Sequence, residues 1–143
     1  FIVKFEDLLG KNKKGKGIIN LSKGASLLPP IDMAIANQKT KIAIATTDGR
    51  LLIAPITDIP TLGKGKGKKL FGIPTAAFTN KECAIVFADI LNKNDELLVI
   101  SGKKKLTLTP EDQKYYHGEL GQRGHKLPRG HQNIKSIETI RAE

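Results

Sequence analysis

Lysine alternates with glycine in the run GKGKGKK, which extends from Gly63 to Lys69. Glycine tolerates positive φ and lets the backbone approach a ligand closely, while lysine supplies a compact ammonium group. Their alternation predicts a track of positive charges that lies along a line of phosphate groups. Because lysine makes little geometric demand on its partner, we expect contacts that tolerate any nucleotide sequence.

Positive charge and glycine occur together in two further segments, NKKGKG at 12–17 and GQRGHK at 121–126. The predicted phosphate-binding residues are Lys11, Lys13, Lys14, Lys16, Arg50, Lys64, Lys66, Lys68, Lys69, Lys103, Lys104, Lys105, Arg123, Lys126 and Arg129. The guanidinium groups of Arg50 and Arg123 suit bidentate contacts with phosphate, although each could equally be a solvated turn residue.

The chain carries 24 Lys and Arg residues against 14 Asp and Glu residues, a formal net charge of +10. The excess lies mainly in the glycine-rich loops, and residues 63–70 contain four lysines and no acidic residue. Concentrated positive charge attracts polyanions, so nucleic acid is the predicted partner. A lysine-rich surface that only maintains solubility is the alternative for a single loop, but recurrence disfavours it. Aromatic residues make up 5% of the chain, which leaves few rings for stacking single-stranded bases and favours duplex DNA.

The sequence supports an enzymatic site less well than a nucleic-acid-binding site. GKNKKGKG at 10–17 fits the pattern of a phosphate-binding P-loop, but Gly17 replaces the Ser or Thr that binds magnesium, and a strand-like IINL follows. His117, His125 and His131 are spaced by eight and six residues, which fits no compact zinc site. We therefore expect no catalytic residue, metal or cofactor in this chain.

The basic loops belong to three repeats, each made of a short apolar run, an acidic residue and a loop rich in glycine and positive charge. The repeats read FEDLLGKNKKGKGIINL from residue 5, PITDIPTLGKGKGKKLFGI from residue 55 and TPEDQKYYHGELGQRGHKL from residue 109. Gly17, Gly67 and Gly124 occupy corresponding places and are separated by 50 and 57 residues. Units of this size in fixed order predict a stacked or radial array of similar supersecondary pieces.

Strand patterns account for most of the apolar sequence. KIAIATTDGRLLIAPI at 41–56 places Asp48-Gly49 between two runs rich in Ile and Leu, which predicts a hairpin with a type I′ turn. Further strands are predicted at 83–90, 96–102 and 103–109, the last two as a second hairpin. The predicted fold class is all-β, and radial repetition would leave only short sheet edges exposed.

One short helix is predicted at 110–116. Thr109 lies at the N-cap position, Pro110 at the first helical position and Asp112 at the third, which is the arrangement of a capping box. Glu111 and Asp112 are therefore interpreted as helix-start residues. The sequence pattern contains no amphipathic helix of several turns.

The chain has 143 residues, of which 39% are hydrophobic, enough for a modest core and without an apolar stretch that could span a membrane. Phe1 is the first residue, so we expect a piece of a longer protein, and FIVKF is too short and too charged for a signal peptide. Cys83 is the single cysteine, which allows no disulfide within the chain and favours a cytoplasmic location.

These segments resemble the C-terminal domains of topoisomerase IV A subunits, which belong to bacterial type IIA topoisomerases. The likeness is carried by KIAIATTDGRLLIAPITDIPTLGKGKGKKLFGIP at 41–74, by FIVKFEDLLGKNKKGKGIINL at 1–21 and by LLVISGKKKLTLTPEDQKYYHGELGQRGHKLPRGHQNI at 97–134. The resemblance implies a β-pinwheel, a propeller relative whose blades exchange strands. We expect one domain, or a portion of one, over 1–143, with about three blades at 1–40, 41–90 and 91–143.

The resemblance also implies a non-catalytic domain that binds and bends the transported duplex and helps select DNA crossings for decatenation and relaxation. Implied partners are duplex DNA, the remainder of the A subunit, and the B subunit in a heterotetramer. The implied setting is the nucleoid in the bacterial cytoplasm, with a role in chromosome segregation. ATP and Mg²⁺ are implied for other parts of the enzyme, not for this chain.

Two further comparisons within this group of enzymes refine the prediction. The related gyrase domain wraps DNA through a fuller box of Gln, paired Arg and paired Gly, of which residues 12–17 and 121–126 are degenerate forms, so topoisomerase IV is favoured over gyrase. Tyr115 and Tyr116 lack the arginine-rich setting of the family's DNA-cleaving tyrosine, so we predict that they pack in the core or against the helix. The alternatives are a gyrase-type wrapping domain and a protein-interaction module whose basic rim meets an acidic protein.

Overall fold

The structure, a computed structural model, describes residues 2, 4, 30–61, 72 and 84–142. Within these ranges the strands are β1 Lys41–Thr46, β2 Arg50–Pro55, β3 Ile85–Leu91, β4 Glu96–Ser101, β5 Lys104–Leu108, β6 His125–Lys126 and β7 Ser136–Ile140. A short helix, α1, covers Pro110–Gln113, and 3-10 helices cover Ile56–Asp58 and Lys114–Tyr116. The predicted phosphate contacts at 11–16 and 64–69 lie outside the described residues.

The strands form two antiparallel sheets. One has the order β3-β1-β2-β6 and the other has the order β5-β4-β7. Both predicted hairpins are confirmed, because β1 pairs with β2 and β4 pairs with β5. The dominance of strands over helix in the described residues agrees with the predicted all-β class.

The turn of the first hairpin differs from the prediction. β1 ends at Thr46 and β2 begins at Arg50, so three residues connect the strands instead of two. Gly49 has φ +83°, whereas Asp48 does not have positive φ, and the Gly49 N–H donates to the Thr46 carbonyl at 3.0 Å. A type I′ turn requires positive φ at both central residues, so that prediction is wrong, and only the last loop residue, Gly49, is left-handed. The Thr46 hydroxyl also bonds to the Asp48 carboxylate, which holds the aspartate in the turn.

The predicted helix and its capping box are confirmed. The Thr109 hydroxyl accepts from the Asp112 N–H at 3.3 Å, and the Asp112 carboxylate accepts from the Thr109 N–H at 3.3 Å. The buried Gln113 amide donates to the carbonyls of Asp95 and Leu108 at 2.8 and 3.0 Å. These bonds fix the start of the third basic loop against the second sheet.

The predicted second and third blades share one topology in the described residues. Each contains a hairpin, a short helical segment and a later strand that pairs antiparallel with the hairpin's first strand, β3 with β1 and β7 with β4. A parallel bridge follows each helical segment and links it to an earlier part of the chain, Thr61 to Ile2 and His117 to Ile53. The order of parts found in the sequence therefore recurs in three dimensions.

The larger sheet is buried on both faces. Ala43 and Ala45 of β1 face a core shared with the second sheet, while Ile42 and Ile44 face another apolar cluster that includes Ile90. Burial of an aliphatic side chain of this size stabilises the fold by roughly 1.5–3 kcal/mol. This double burial explains why β1 is apolar at nearly every position, and one of its two faces shares its core with the second sheet.

The end of the described chain is fastened to the loop between β3 and β4. Arg141 bonds to the carboxylates of Asp95 and Asp89 at 2.8 and 3.2 Å, and the Ala142 N–H donates to Asp95 at 2.9 Å. Burial alone would raise the pKa of Asp95, but the hydrogen bonds from the Ala142 and Asn92 N–H groups and from Arg141 outweigh it and lower that pKa. The clamp joins β7 of one sheet to β3 of the other.

Candidate nucleic-acid interface

The third basic loop lies against the turn of the first hairpin. β6 pairs antiparallel with the start of β2, with Lys126 opposite Arg50 and His125 opposite Leu51. The next residue, Leu127, donates its N–H to the Gly49 carbonyl at 2.8 Å. A strand from one repeat therefore extends the sheet of the preceding repeat, which is the kind of strand exchange that the sequence resemblance implies.

The same segment then reaches the turn of the second hairpin. The Ser101 hydroxyl donates to the His131 carbonyl at 2.9 Å. A Cβ placed on Gly130 would lie 2.9 Å from the Lys104 ammonium nitrogen, so that ammonium group lies directly over the glycine. Arg129 precedes this contact in the chain and is exposed. Residues 123–130 thus connect two turns that belong to different sheets.

Six exposed cations line this connection, and they come from the second hairpin turn and from the third basic loop. We call them the basic strip: Lys103, Lys104, Lys105, Arg123, Lys126 and Arg129. All six were predicted to contact phosphate. They come from two stretches of sequence that meet where Lys104 contacts Gly130, and their binding of phosphate stays a prediction.

Arg50 is held by contacts with the third basic loop and with the hairpin turn. Its Nη1 donates to the Gly124 carbonyl at 3.2 Å, and its Nε lies 3.6 Å from the Asp48 carboxylate. The Arg123 Nη2 lies 3.0 Å from the same carboxylate oxygen. The Arg50 side chain is 24% exposed and that of Arg123 is 44% exposed. Arg123 therefore keeps the larger surface for a further anion.

The backbone conformation at Gly124 and its close approach to β2 require a glycine. It has φ +70°, and a Cβ at this position would lie 2.4 Å from the Leu51 carbonyl oxygen. A side chain would prevent the loop from reaching β2. The sequence pattern indicated that this glycine belongs to a phosphate-binding loop, whereas its contacts serve strand pairing.

A histidine in the same loop contributes no positive charge at neutral pH. Burial, followed by repulsion from Lys41 and then from Lys114, lowers the pKa of His117 below its ordinary value. The Lys41 ammonium lies 3.3 Å from the His117 Nε2. The neutral imidazole can accept a hydrogen bond from this lysine.

The two adjacent tyrosines have different environments. Tyr116 is 5% exposed and belongs to the core between the sheets, as predicted. Tyr115 is 65% exposed, so it does not pack in the core, and of the two predicted environments it has only a contact with the helical segment, through the ring of Tyr116. Because the 3-10 helix turns by about a third of a circle per residue, adjacent side chains point in different directions and only one reaches the core.

No group of three or more His, Cys, Asp or Glu residues is placed to hold a metal ion in the part of the chain that the structure describes. Over the same residues, no helix is both long and apolar enough to cross a membrane. His117 lies near Lys41, His125 contacts Tyr115, and His131 lies beside the second hairpin turn. The three histidines therefore do not converge on one site.

Asp48 is the residue whose role the sequence reasoning missed. It was interpreted only as half of a turn signal, yet its carboxylate contacts both Arg50 and Arg123. Local sequence offers a partial signal, because Arg50 follows two residues later, but the contact with Arg123 depends on the pairing of β6 with β2. Such a pairing cannot be read from a two-residue strand.

Comparison with known proteins gives consistent relatives, although no family model matches the chain. The A subunit of DNA topoisomerase 4 from Pseudomonas aeruginosa is 40% identical over 137 residues, which cover 96% of this chain and 18% of that protein. The corresponding protein of Escherichia coli strain K12 is 36% identical over 138 residues, with the same two coverages. The chain therefore spans about a fifth of the length of these relatives.

Solved structures show the same likeness. The E. coli ParC C-terminal domain matches with a TM-score of 0.82 and 34% identity, over 96% of this chain and 54% of that one. A C-terminal domain of DNA topoisomerase IV matches with a TM-score of 0.54 over 73% of this chain and 32% of that one, at 13% identity, which bears on the fold alone. The predicted β-pinwheel fold is confirmed, while the number and limits of the blades stay predictions.

Proposed function

We propose that this chain, which is related over nearly its whole length to the C-terminal domain of the DNA topoisomerase IV A subunit, is a non-catalytic module that binds and bends duplex DNA. In the assembled enzyme it would engage the transported duplex and help select DNA crossings for decatenation and relaxation. The remainder of the A subunit and the B subunit would supply DNA cleavage and the chemistry that uses ATP and Mg²⁺. The bacterial nucleoid is the corresponding cellular setting.

One observation carries the proposal, namely the continuity of the basic strip across two sheets. Lys126 lies at the first hairpin turn, Lys104 at the second, and Arg129 in the segment that joins them. A duplex presents phosphates along a curved backbone, so cations that follow one line can neutralise several of them together. Bending a duplex over such a rim costs on the order of a few kcal/mol, which closely spaced contacts can offset.

The same surface favours contacts without sequence preference. Base readout in the major groove uses a helix or a two-stranded ribbon that enters the groove. The α-helix in the described part of the chain has four residues, Pro110–Gln113, and carries Glu111 and Asp112 in its first turn. This helix is too short and too acidic to enter a groove, and both hairpins are parts of larger sheets, so phosphate contacts would dominate.

The internal role of the third loop favours weak wrapping over gyrase-type wrapping. Arg123 and Gly124, from the segment GQRGHK that resembles the gyrase box, are held against Asp48 and Leu51. Part of this segment therefore connects sheets, which leaves fewer of its groups for DNA. A topology assay with the full-length enzyme tests the alternative, since supercoiling of relaxed circles would identify a gyrase.

Titration of the chain with a mixed-sequence duplex at several salt concentrations tests the proposed function. We expect weak binding and equal affinity for unrelated sequences. The slope of the logarithm of the binding constant against the logarithm of the salt concentration should be steeper than about −3 if four or more phosphates are neutralised. A slope near zero, or strong preference for one sequence, would contradict the proposal. ATP hydrolysis or a covalent DNA adduct formed by the chain alone would contradict its non-catalytic part.

A further inference from the structure

Tyr115 is an exposed aromatic ring with fixed support. Its ring meets the buried Tyr116 edge to face, with centroids 5.2 Å apart and an interplanar angle of 88°. The same ring also contacts His125, with centroids 4.9 Å apart and an angle of 41°. Two contacts orient the ring, yet 65% of the residue remains exposed to solvent. An exposed aromatic ring held in this way suits stacking with another planar group.

The ring lines a cleft that combines apolar, acidic and basic side chains. Leu106, Leu108 and Pro128 give the cleft an apolar lining. Glu111 and Lys126, the latter from the basic strip, also line the cleft. A ligand that matches this arrangement has a flat apolar face, hydrogen-bond donors on one edge and a negative charge attached at another.

The carboxylates in the cleft have different availability. Asp112 accepts hydrogen bonds from both the N–H and the hydroxyl of Thr109, so the helix cap occupies it. Glu111 pairs with Lys114 at 3.2 Å, where both side chains are largely exposed. Such exposed pairs contribute little and rearrange readily. Glu111 can therefore accept a hydrogen bond from a ligand, and it would repel a phosphate placed in the cleft itself.

We propose that this cleft holds one unstacked nucleobase of the DNA that lies on the basic strip. The base would stack on Tyr115, an amino group on its edge would donate to Glu111, and the adjoining phosphate would contact Lys126. Stacking on aromatic side chains accepts any base because every base has a π face. The inference rests on the proposed function, and it adds a preference for DNA that carries an unpaired base.

The composition of the chain provides a spectroscopic test. It contains two tyrosines and no tryptophan, so little protein emission overlaps that of 2-aminopurine. The probe is a duplex with one extrahelical 2-aminopurine, compared with the same duplex in which this base is paired with thymine. Tyr115→Phe keeps the ring, whereas Tyr115→Ala removes it. Ile35→Ala, at another exposed apolar residue that does not line the cleft, is the control.

We expect the wild-type chain to bind the bulged duplex about fivefold to a hundredfold more tightly than the paired duplex and to quench its 2-aminopurine emission. Tyr115→Phe and Ile35→Ala should retain both effects. Tyr115→Ala should bind both duplexes equally, with unchanged affinity for the paired one and an unchanged melting temperature. A single strand containing 2-aminopurine provides a second source of unstacked bases, and stronger quenching by one probe identifies the preferred source.

The outcomes separate this inference from the proposed function. Failure of the wild-type chain to bind the paired duplex would contradict DNA binding itself. Salt-dependent binding of the paired duplex, with neither preference nor quenching for the bulged one, would overturn the base-binding cleft alone. Persistence of quenching in Tyr115→Ala would also overturn it, because another group would then stack on the base.

Discussion

Arg123 donates to the Asp48 carboxylate at 3.0 Å across 75 residues of sequence, and this ion pair joins the third basic loop to the turn of the first hairpin. Both groups lie in segments that the sequence marks for other purposes, a turn and a phosphate-binding loop. The pair limits how far the loop can move from β2. Arg123 of the basic strip therefore also contributes to the stability of the sheet that contains β2.

A double-mutant cycle with Asp48→Asn and Arg123→Gln should reveal coupling in the free energy of unfolding. We expect about 0.5–1 kcal/mol, because the pair is partly shielded from solvent and Asp48 also contacts Arg50. The control cycle uses Glu111→Gln and Lys114→Gln, whose exposed pair should give almost none. Equal coupling in the two cycles would show that the Asp48–Arg123 contact does not anchor the loop.

Gly124→Ala should destabilise the chain more than Gly102→Ala. Both glycines have positive φ, so each substitution carries a backbone penalty of roughly 1–2 kcal/mol. At Gly102 nothing lies within 4 Å of the added carbon, whereas at Gly124 the Leu51 carbonyl lies at 2.4 Å. The midpoints of denaturant unfolding measure the difference. Equal losses would mean that β6 does not pair closely with β2.

Much of the fold could be predicted because the signals were local. The Asp48-Gly49 pair between apolar runs located the first hairpin, and Thr109 through Asp112 located the helix with its cap. The prediction of the turn type was wrong because three residues connect the strands, and in this loop only Gly49 has positive φ. Local sequence predicts that a turn exists better than it predicts the turn's dihedral angles.

The candidate site was harder to predict because it depends on long-range contacts. Charge predicted which side chains were candidates, but only the pairing of β6 with β2 places Lys126 beside Arg50. The exposure of Tyr115 was missed because two adjacent tyrosines give no pattern that distinguishes the buried one from the exposed one. The contact of Arg141 with Asp95 also leaves no local pattern, because those residues are 46 positions apart.

The chain should lose stability as the pH falls below about 6.5, the ordinary pKa of histidine. Burial and the nearby Lys41 and Lys114 lower the pKa of His117 in the folded chain, so the unfolded chain binds more protons in this interval. The free energy of unfolding therefore decreases until the pH passes the folded-state pKa and does not decrease further from this group. Unfolding by denaturant between about pH 7.5 and 5.5 measures the slope.

Replacement of His117 by Gln should flatten this part of the pH profile. Lys41→Gln should reduce the slope without abolishing it, because burial is the largest cause of the shift and remains in that variant. Persistence of the full wild-type slope in His117→Gln would show that another group is responsible.

Duplex binding by two variants of equal charge tests the basic strip most directly. The strip variant, Lys126→Gln with Arg129→Gln, removes two charges from the basic strip. The control variant, Lys39→Gln with Lys93→Gln, also removes two exposed charges. These two lysines precede β1 and β4 and lie at the ends of these strands away from the hairpin turns. We expect the strip variant to bind a mixed-sequence duplex about tenfold more weakly and to lose roughly 2 from the magnitude of its log-log salt slope. The control should lose less than about threefold and keep its slope, because separated charges contribute only screened, long-range attraction. Equal losses in the two variants would contradict the account and show that net charge, wherever it lies, determines DNA binding.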